Sequence, residues 1–268
     1  MYDRILVPVD GSKFSEEMLP HAAGLAGAHG IPLTLLRIVE KDDERPDAEA
    51  YAMALASPLG AQSLCVVARG DVADAIAEEA RRVPGTLVAM TSHGRSGLME
   101  AMLGSVAQRL IRSGGAALIY RPSGAGGQVS APIRVTRVML PLDGTPVSEA
   151  MAPHAVELAK WLDAELMVVG VIEPAAHAEA GVVPGDVMES SYVRSMAERY
   201  AAQHGVRVSW DVLYGEPAQA IAEFIKGRKD VILAMATHGR KGLEAARLGS
   251  VTAGCLRKSG VPVLVRMP

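Results

Sequence analysis

The sequence predicts an α/β protein built as two repeats, each a doubly wound, five-stranded parallel sheet with helices on both faces. Three observations carry that prediction. Short aliphatic runs alternate with longer helical segments, which is the pattern of βαβ units. The chain also repeats itself. Arg4–Ala26 reads RILVPVDGSKFSEEMLPHAAGLA and Arg137–Ala159 reads RVMLPLDGTPVSEAMAPHAVELA, at an offset of 133. Ser92–Val106, SHGRSGLMEAMLGSV, matches Thr237–Val251, THGRKGLEAARLGSV, at an offset of 145, so the first half is 12 residues shorter in its middle. Third, the 268 residues are 49% hydrophobic but only 4% aromatic, so the core must be aliphatic. The expected division is 1–122 and 134–268, with 123–133 as linker, because Pro122–Pro132 (PSGAGGQVSAP) has the Gly, Ser and Pro content of a surface connection.

Each element has a local reason. Ile5–Val9 is a continuous apolar run, as a strand buried on both faces requires. Ser12 or Asp10 can cap a helix running to about His29, which Gly30 ends before Pro32. Leu33–Val39 is the second strand, and Lys41–Pro58, acidic and then Ala-rich, predicts a short helix. Leu64–Ala68 is the third strand, with Cys65 in the core. Val72–Arg82 follows as a helix whose apolar stripe is Ala73, Ile76, Ala77 and Ala80. Thr86–Met90, Ser105–Arg112 and Ala116–Tyr120 complete the half as strand, helix and strand. The second half repeats the order. Its strands are Arg137–Leu142, Leu166–Ile172, Val206–Leu213, Val231–Ala236 and Val261–Arg266. Its helices are Pro146–Leu162, Glu189–His204, Pro217–Gly227 and Ser250–Lys258.

Composition excludes several classes. With 27 basic against 30 acidic side chains, a net charge of -3 offers no field for a nucleic-acid backbone. Cys65 and Cys255 make neither a disulfide framework nor a zinc spacing. No run approaches the roughly 18–20 apolar residues of a membrane span, and no leader pattern opens the chain. A cytoplasmic protein with no membrane partner is expected. There is no GxxxxGK[ST], no GxGxxG after the first strand and no GxSxG elbow.

In a doubly wound sheet, ligands bind beyond the C-terminal ends of the strands, where strand order reverses. Two loops recur there. Pro8-Val9-Asp10-Gly11-Ser12 is mirrored by Pro141-Leu142-Asp143-Gly144-Thr145. Its carboxylate can accept from ribose hydroxyls or cap the next helix, and the two roles are compatible. His93-Gly94-Arg95-Ser96-Gly97 is mirrored by His238-Gly239-Arg240-Lys241-Gly242. Each loop runs on to a helix opening at Gly104-Ser105-Val106 or Gly249-Ser250-Val251. Free N–H groups and the helix dipole favour an anion there, although glycine turns and a serine cap explain a single copy equally well. Two copies with the same internal spacing favour phosphate. His93 and His238 lack a partner for catalysis nearby in sequence and are read as ligand-lining or loop-ordering. His21 and His154 are placed on a helix surface. No catalytic residue and no metal site are expected.

These residues resemble the universal stress protein family, and the whole chain looks like a tandem member. The likeness rests on ILVPVDGS, on HGRSGL…LGSV and on the closing Gly260-Val261-Pro262-Val263-Leu264-Val265-Arg266. The nucleotide-binding members carry G-x2-G-x9-G-[ST]. Here Gly94, Gly104 and Ser105, and Gly239, Gly249 and Ser250, match it, while the first glycine is Thr91 in one half and Ala236 in the other. The resemblance implies a Rossmann-like strand order of 3-2-1-4-5. It implies ribose on Asp10 and Asp143, and adenine against the backbone of Ile38 and Val171. It further implies two domains paired as in a dimer, here within one polypeptide, with a homodimer also open. The expected ligand is ATP, with Mg left open as its companion, in a regulatory stress-response protein that signals through nucleotide-dependent conformation. A scaffold that binds no nucleotide, and a slow ATP hydrolase, are the alternatives. The 12-residue deficit predicts a short or irregular second helix in the first half and unequal sites.

Overall fold

The computed structural model describes residues 1–92, 105–112, 115–121, 131–173, 186–236 and 249–266. Its two compact units, Met1–Arg134 and one beginning at Val135, each contribute five parallel strands. In the first unit the strands are β1 (Arg4–Val9), β2 (Leu33–Val39), β3 (Gln62–Val67), β4 (Thr86–Thr91) and β5 (Ala117–Tyr120). Their order is β3-β2-β1-β4-β5, and all pairings are parallel. Register is set by burial: Ile5, Leu6 and Val7 are inaccessible to solvent on both faces, opposite Leu33, Thr34 and Leu35. Slipping by one residue would leave the aliphatic run without a matching partner. The second unit repeats this with β6 (Arg137–Pro141), β7 (Glu165–Ile172), β8 (Val208–Tyr214), β9 (Val231–Ala236) and β10 (Val263–Arg266). Its order is β8-β7-β6-β9-β10, again parallel.

The predicted first helix is two helices. In the first unit α1 (Lys13–Glu16) stops and α2 (Leu19–His29) restarts. Pro20 is the reason: in an unbroken helix its ring would meet the Glu16 carbonyl, and it has no N–H to offer. At the second position of α2 neither fault matters. After α3 (Arg45–Ala56), α4 (Val72–Arg82) and α5 (Ser105–Arg112), the second unit shows the same break. There α6 (Pro146–Glu149) precedes α7 (Ala152–Leu162), with Pro153 in the corresponding place.

Gly30 ends α2 at φ 62, and Asp163 ends α7 in the same left-handed region at φ 48. The helix of the shortened region is regular: α3 has 12 residues, against 19 in its counterpart α8 (Asp186–His204). The second unit closes with α9 (Pro217–Phe224) and α10 (Ser250–Lys258).

On one face of the first sheet, Leu6, Leu36, Ile38 and Val88 pack with Ile76 and Ala77 of α4 and Leu110 of α5. The amphipathic stripe predicted for α4 is thus its core face, and Asp71 caps that helix by accepting from the Ala73 N–H at 2.6 Å. The other face holds α2, buried from Leu19 to Ala26 except at Gly24 and exposed in its last turn. His21 is among its buried residues, 4% exposed with its ring 5.2 Å from that of Tyr120, so it is a core residue and not the surface residue expected. Cys65 departs the other way. It is half-buried, because β3 is an edge strand with one neighbour. Ile133, at the end of the predicted linker, donates its N–H to the Pro20 carbonyl at 2.9 Å. Among the described residues, no helix is long and apolar enough to cross a membrane.

Candidate functional site

Each unit has a cavity at the C-terminal ends of its central strands, where the chain order reverses. The first holds about 500 Å³ and is lined by Pro8 near the end of β1, Asp10 just after it, Ile38 at the end of β2, Thr91 at the end of β4 and Val106 of α5. The second holds about 290 Å³. It is lined by Pro141, Asp143, Val171, Ala236, Gly249, Ser250 and Val251, at the corresponding positions of the repeat. Parallel strands bring these distant residues together because all of them end at the same edge. Ser105 opens α5. The remaining predicted positions, His93, Gly94, Arg95, Gly97, Gly104, His238, Gly239, Arg240 and Gly242, lie outside the described residues.

The loop after the first strand is ordered by its own side chains. Gly11 at φ 90 and Gly144 at φ 75 allow the chain to double back. Asp10 Oδ1 then accepts from the Ser12 N–H at 2.9 Å and its hydroxyl at 2.6 Å, an Asx-turn. Ser12, not Asp10, caps α1, accepting from the Ser15 N–H at 3.2 Å. The second loop repeats this. Asp143 Oδ1 accepts from the Thr145 N–H (3.0 Å), the Thr145 hydroxyl (2.6 Å) and the Ser148 hydroxyl (2.6 Å). Every described hydrogen bond to Asp143 converges on Oδ1, which fixes the carboxylate and leaves Oδ2 without a partner among the described residues. Burial alone would raise the Asp143 pKa. The hydrogen bonds from Ser148 and Thr145 outweigh burial and hold it below the usual carboxylate value.

At the opposite wall, α10 begins with Gly249 as its cap, which has no side chain to satisfy the first N–H groups of the helix. Thr252 anchors this end by donating its hydroxyl to the Ala236 carbonyl at 3.2 Å. The arrangement therefore offers a fixed carboxylate on one side and a helix N-terminus on the other. Apolar residues lie between them, Met235 and Ile221 in the second cavity and Met90 and Ile76 in the first. Such a surface suits a ligand with hydroxyls, a flat apolar body and an anionic group. Among the described residues, no group of three or more His, Cys, Asp or Glu is placed to hold a metal.

A model of the universal stress protein family matches residues 1–115 and 134–266. The chain belongs to that family. A universal stress protein of Mycobacterium bovis is 28% identical over 291 residues, covering 97% of this chain and 96% of the relative. One from Methanocaldococcus jannaschii is 31% identical over 136 residues, covering 48% of this chain and 80% of the relative. A crystal structure of a universal stress protein from Archaeoglobus fulgidus shares the fold, with a TM-score of 0.68 at 21% identity, covering 100% of this chain and 99% of that one.

Reading the sequence missed part of the lining. Val72 and Ile76 of α4, and Pro217 and Ile221 of α9, close the cavities from the side. Arg37, Glu40 and Glu44 line the first cavity, and Glu173 the second. Arg37 carried a usable signal, as the one charge in the aliphatic run LTLLRIV. His154, half-buried on α7, has its pKa lowered, first by burial and then by Arg266.

Proposed function

We propose that this universal stress protein binds adenine nucleotide, ATP in the first instance, in a cavity of its two-unit chain, and that occupancy regulates its interactions in a stress response. The observation that carries this reading is the repeated geometry at the strand ends. An aspartate held by the hydroxyl and N–H groups of its own loop lines the cavity in each half, and a helix begins at the opposite wall. On this reading, in the second half Asp143 Oδ2 accepts from ribose hydroxyls, Val171 meets the base through its backbone, and Gly249, Ser250 and Val251 receive phosphate. Pro8, Asp10, Ile38, Thr91 and Val106 supply the corresponding surface in the first half. A magnesium ion would arrive with the phosphates, as that ion prefers.

The test is direct. Protein purified without added ligand is denatured, and released nucleotide is identified by mass spectrometry. Adding ATP at about 100 times Kd stabilises the fold by about 2.7 kcal/mol. Asp143→Ala and Gly249→Trp are expected to abolish that shift for the second half, and Asp10→Ala to abolish the nucleotide-dependent shift contributed by the first. Absence of co-purified nucleotide together with no thermal shift would refute the proposal. Sustained multiple turnover would replace it with an enzymatic one.

A further inference from the structure

The two cavities differ at the position that faces the base. At the repeat offset of 133, Arg37 of β2 corresponds to Gly170 of β7. The hydrogen bonds of the strands confirm the equivalence. The Val39 carbonyl accepts from the Ala68 N–H at 2.8 Å, and the Ile172 carbonyl from the Gly215 N–H at 3.0 Å, so both point towards the outer strand. Carbonyls of successive residues point to opposite sides of a strand. Those of Ile38 and Val171 therefore point the other way, over the ends of β1 and β6.

Pairing of β6 with β7 stops at Pro141 and Val169, before Val171 is reached. Among the described residues no donor meets the Val171 carbonyl. The Ile38 carbonyl already accepts from Arg37 Nη1, at 2.6 Å, which sets a cationic donor beside it. Arg37 also lines the first cavity, together with Glu40 and Glu44, whereas no Arg, Lys or His is among the described residues lining the second.

The chemistry of purines gives this difference a meaning. Adenine carries an amino donor at C6, which an open backbone carbonyl accepts. Guanine carries an oxygen there, an acceptor that no carbonyl can bind but a guanidinium can. Arg37 has five N–H donors and spends one on Ile38, so others remain for such an oxygen. The carboxylates of Glu40 and Glu44, which line the same cavity, are acceptors for the ring N–H and the 2-amino group of guanine.

We infer that the two cavities read different purines, the second adenine and the first a 6-oxopurine such as guanine, with Arg37 as the specificity-determining residue. This rests on the reading of both cavities as nucleotide sites.

The experiment is equilibrium dialysis of the full chain with labelled ATP and labelled GTP, separately and together. The expected result is one ATP and one GTP per chain, without competition. Arg37→Gly is expected to raise ATP to two per chain and to weaken GTP roughly ten- to hundredfold. Arg37→Met keeps the apolar bulk of the stem without its donors and is expected to lose GTP affinity to the same degree, with circular dichroism confirming the fold of both variants. Two ATP per wild-type chain would overturn the inference while leaving the nucleotide reading intact, as would GTP competing with ATP for a single site or GTP affinity unchanged in Arg37→Met. Binding of neither nucleotide would overturn both.

Discussion

Removing the Glu79 carboxylate should expose how much of the first unit depends on one buried charge pair. Arg4 opens β1 and Glu79 lies on α4, with side chains only 9% and 7% exposed. Arg4 Nη1 meets Glu79 Oε1 at 3.0 Å, Nη2 donates to the Glu79 carbonyl at 2.7 Å, and Nε donates to Thr86 Oγ1 at 3.0 Å. Arg82 approaches the other carboxylate oxygen at 3.1 Å from a largely exposed position. Glu79→Ala leaves Arg4 buried without a counter-charge, a loss of about 3–5 kcal/mol. Arg4 keeps the carbonyl and Thr86, and Arg82 returns to water, so the lower end of that range applies. With an m value near 2 kcal/mol/M, about 3 kcal/mol lowers a urea midpoint by roughly 1.5 M. Far-UV circular dichroism reads this transition, while emission from Trp161 and Trp210 reports on the second unit, where both lie. The double variant Arg4→Met/Glu79→Leu should recover most of the loss, because apolar replacement of a buried pair is often neutral. A Glu79→Ala shift below about 0.3 M would mean the pair behaves as a surface salt bridge, and the burial argument would fail.

Three further outcomes follow from local geometry. Asp230 is held down to about 2 by the Arg228 guanidinium, at 2.8 and 3.1 Å, and by the Thr136 hydroxyl, against burial, which acts in the opposite sense. Its folded pKa lies below the unfolded one, so its stabilisation is present above pH about 4 and is lost as pH falls towards about 2. With both groups about a third exposed, screening reduces this to the order of 1 kcal/mol; Asp230→Asn should lower the urea midpoint at pH 5 and not at pH 2, and a constant difference would contradict the assignment. Asp163→Gly should stabilise by up to about 1 kcal/mol, because glycine adopts φ 48 without strain and the exposed Arg207 pair contributes little; a lowered Tm would refute this. Gly24→Ala should destabilise by about 1–3 kcal/mol, since its Cβ would lie 1.8 Å from the Ile133 carbonyl oxygen, and amide exchange at Ile133 should accelerate.

The strands and the cavity walls were legible in the sequence because parallel βαβ topology converts position along the chain into position at a common edge. Ile5–Val9 has the continuous apolar run expected of a buried strand, and Asp10 and Asp143 then fall where such strands end. What escaped depends on torsions and neighbours. A helical pattern runs through Pro20 on both sides, so the break between α1 and α2 shows only in the backbone. The burial of His21 depends on Tyr120, about 100 residues away in sequence. Cys65 is apolar in its local context, but its exposure follows from β3 having one neighbour. Arg37 was visible as a charge; that it curls onto the next carbonyl was not.

The tyrosine contacts show which part of the repeat tolerates length change. A four-residue helix such as α1 or α6 has no stability of its own. Each carries a glutamate at the same repeat position, Glu16 or Glu149. Tyr51 of α3 donates to Glu16 at 3.1 Å, and Tyr192 of α8 donates to Glu149 at 2.8 Å. Burial, and then the facing carboxylates, raise both phenol pKa values, so the hydroxyls remain donors at neutral pH. The tyrosines are 141 residues apart while the glutamates are 133 apart, because the halves lose their common spacing between them. The same tie has therefore been kept across a change in length. It fastens the helix that follows each cavity aspartate to the helix that follows the second strand. A chain free to vary there without constraint would not preserve one bond at two different spacings. The carboxylate end of the two cavities is thus held alike, and the difference between them is concentrated at the ends of the second strands, where Arg37 of the first half corresponds to Gly170 of the second.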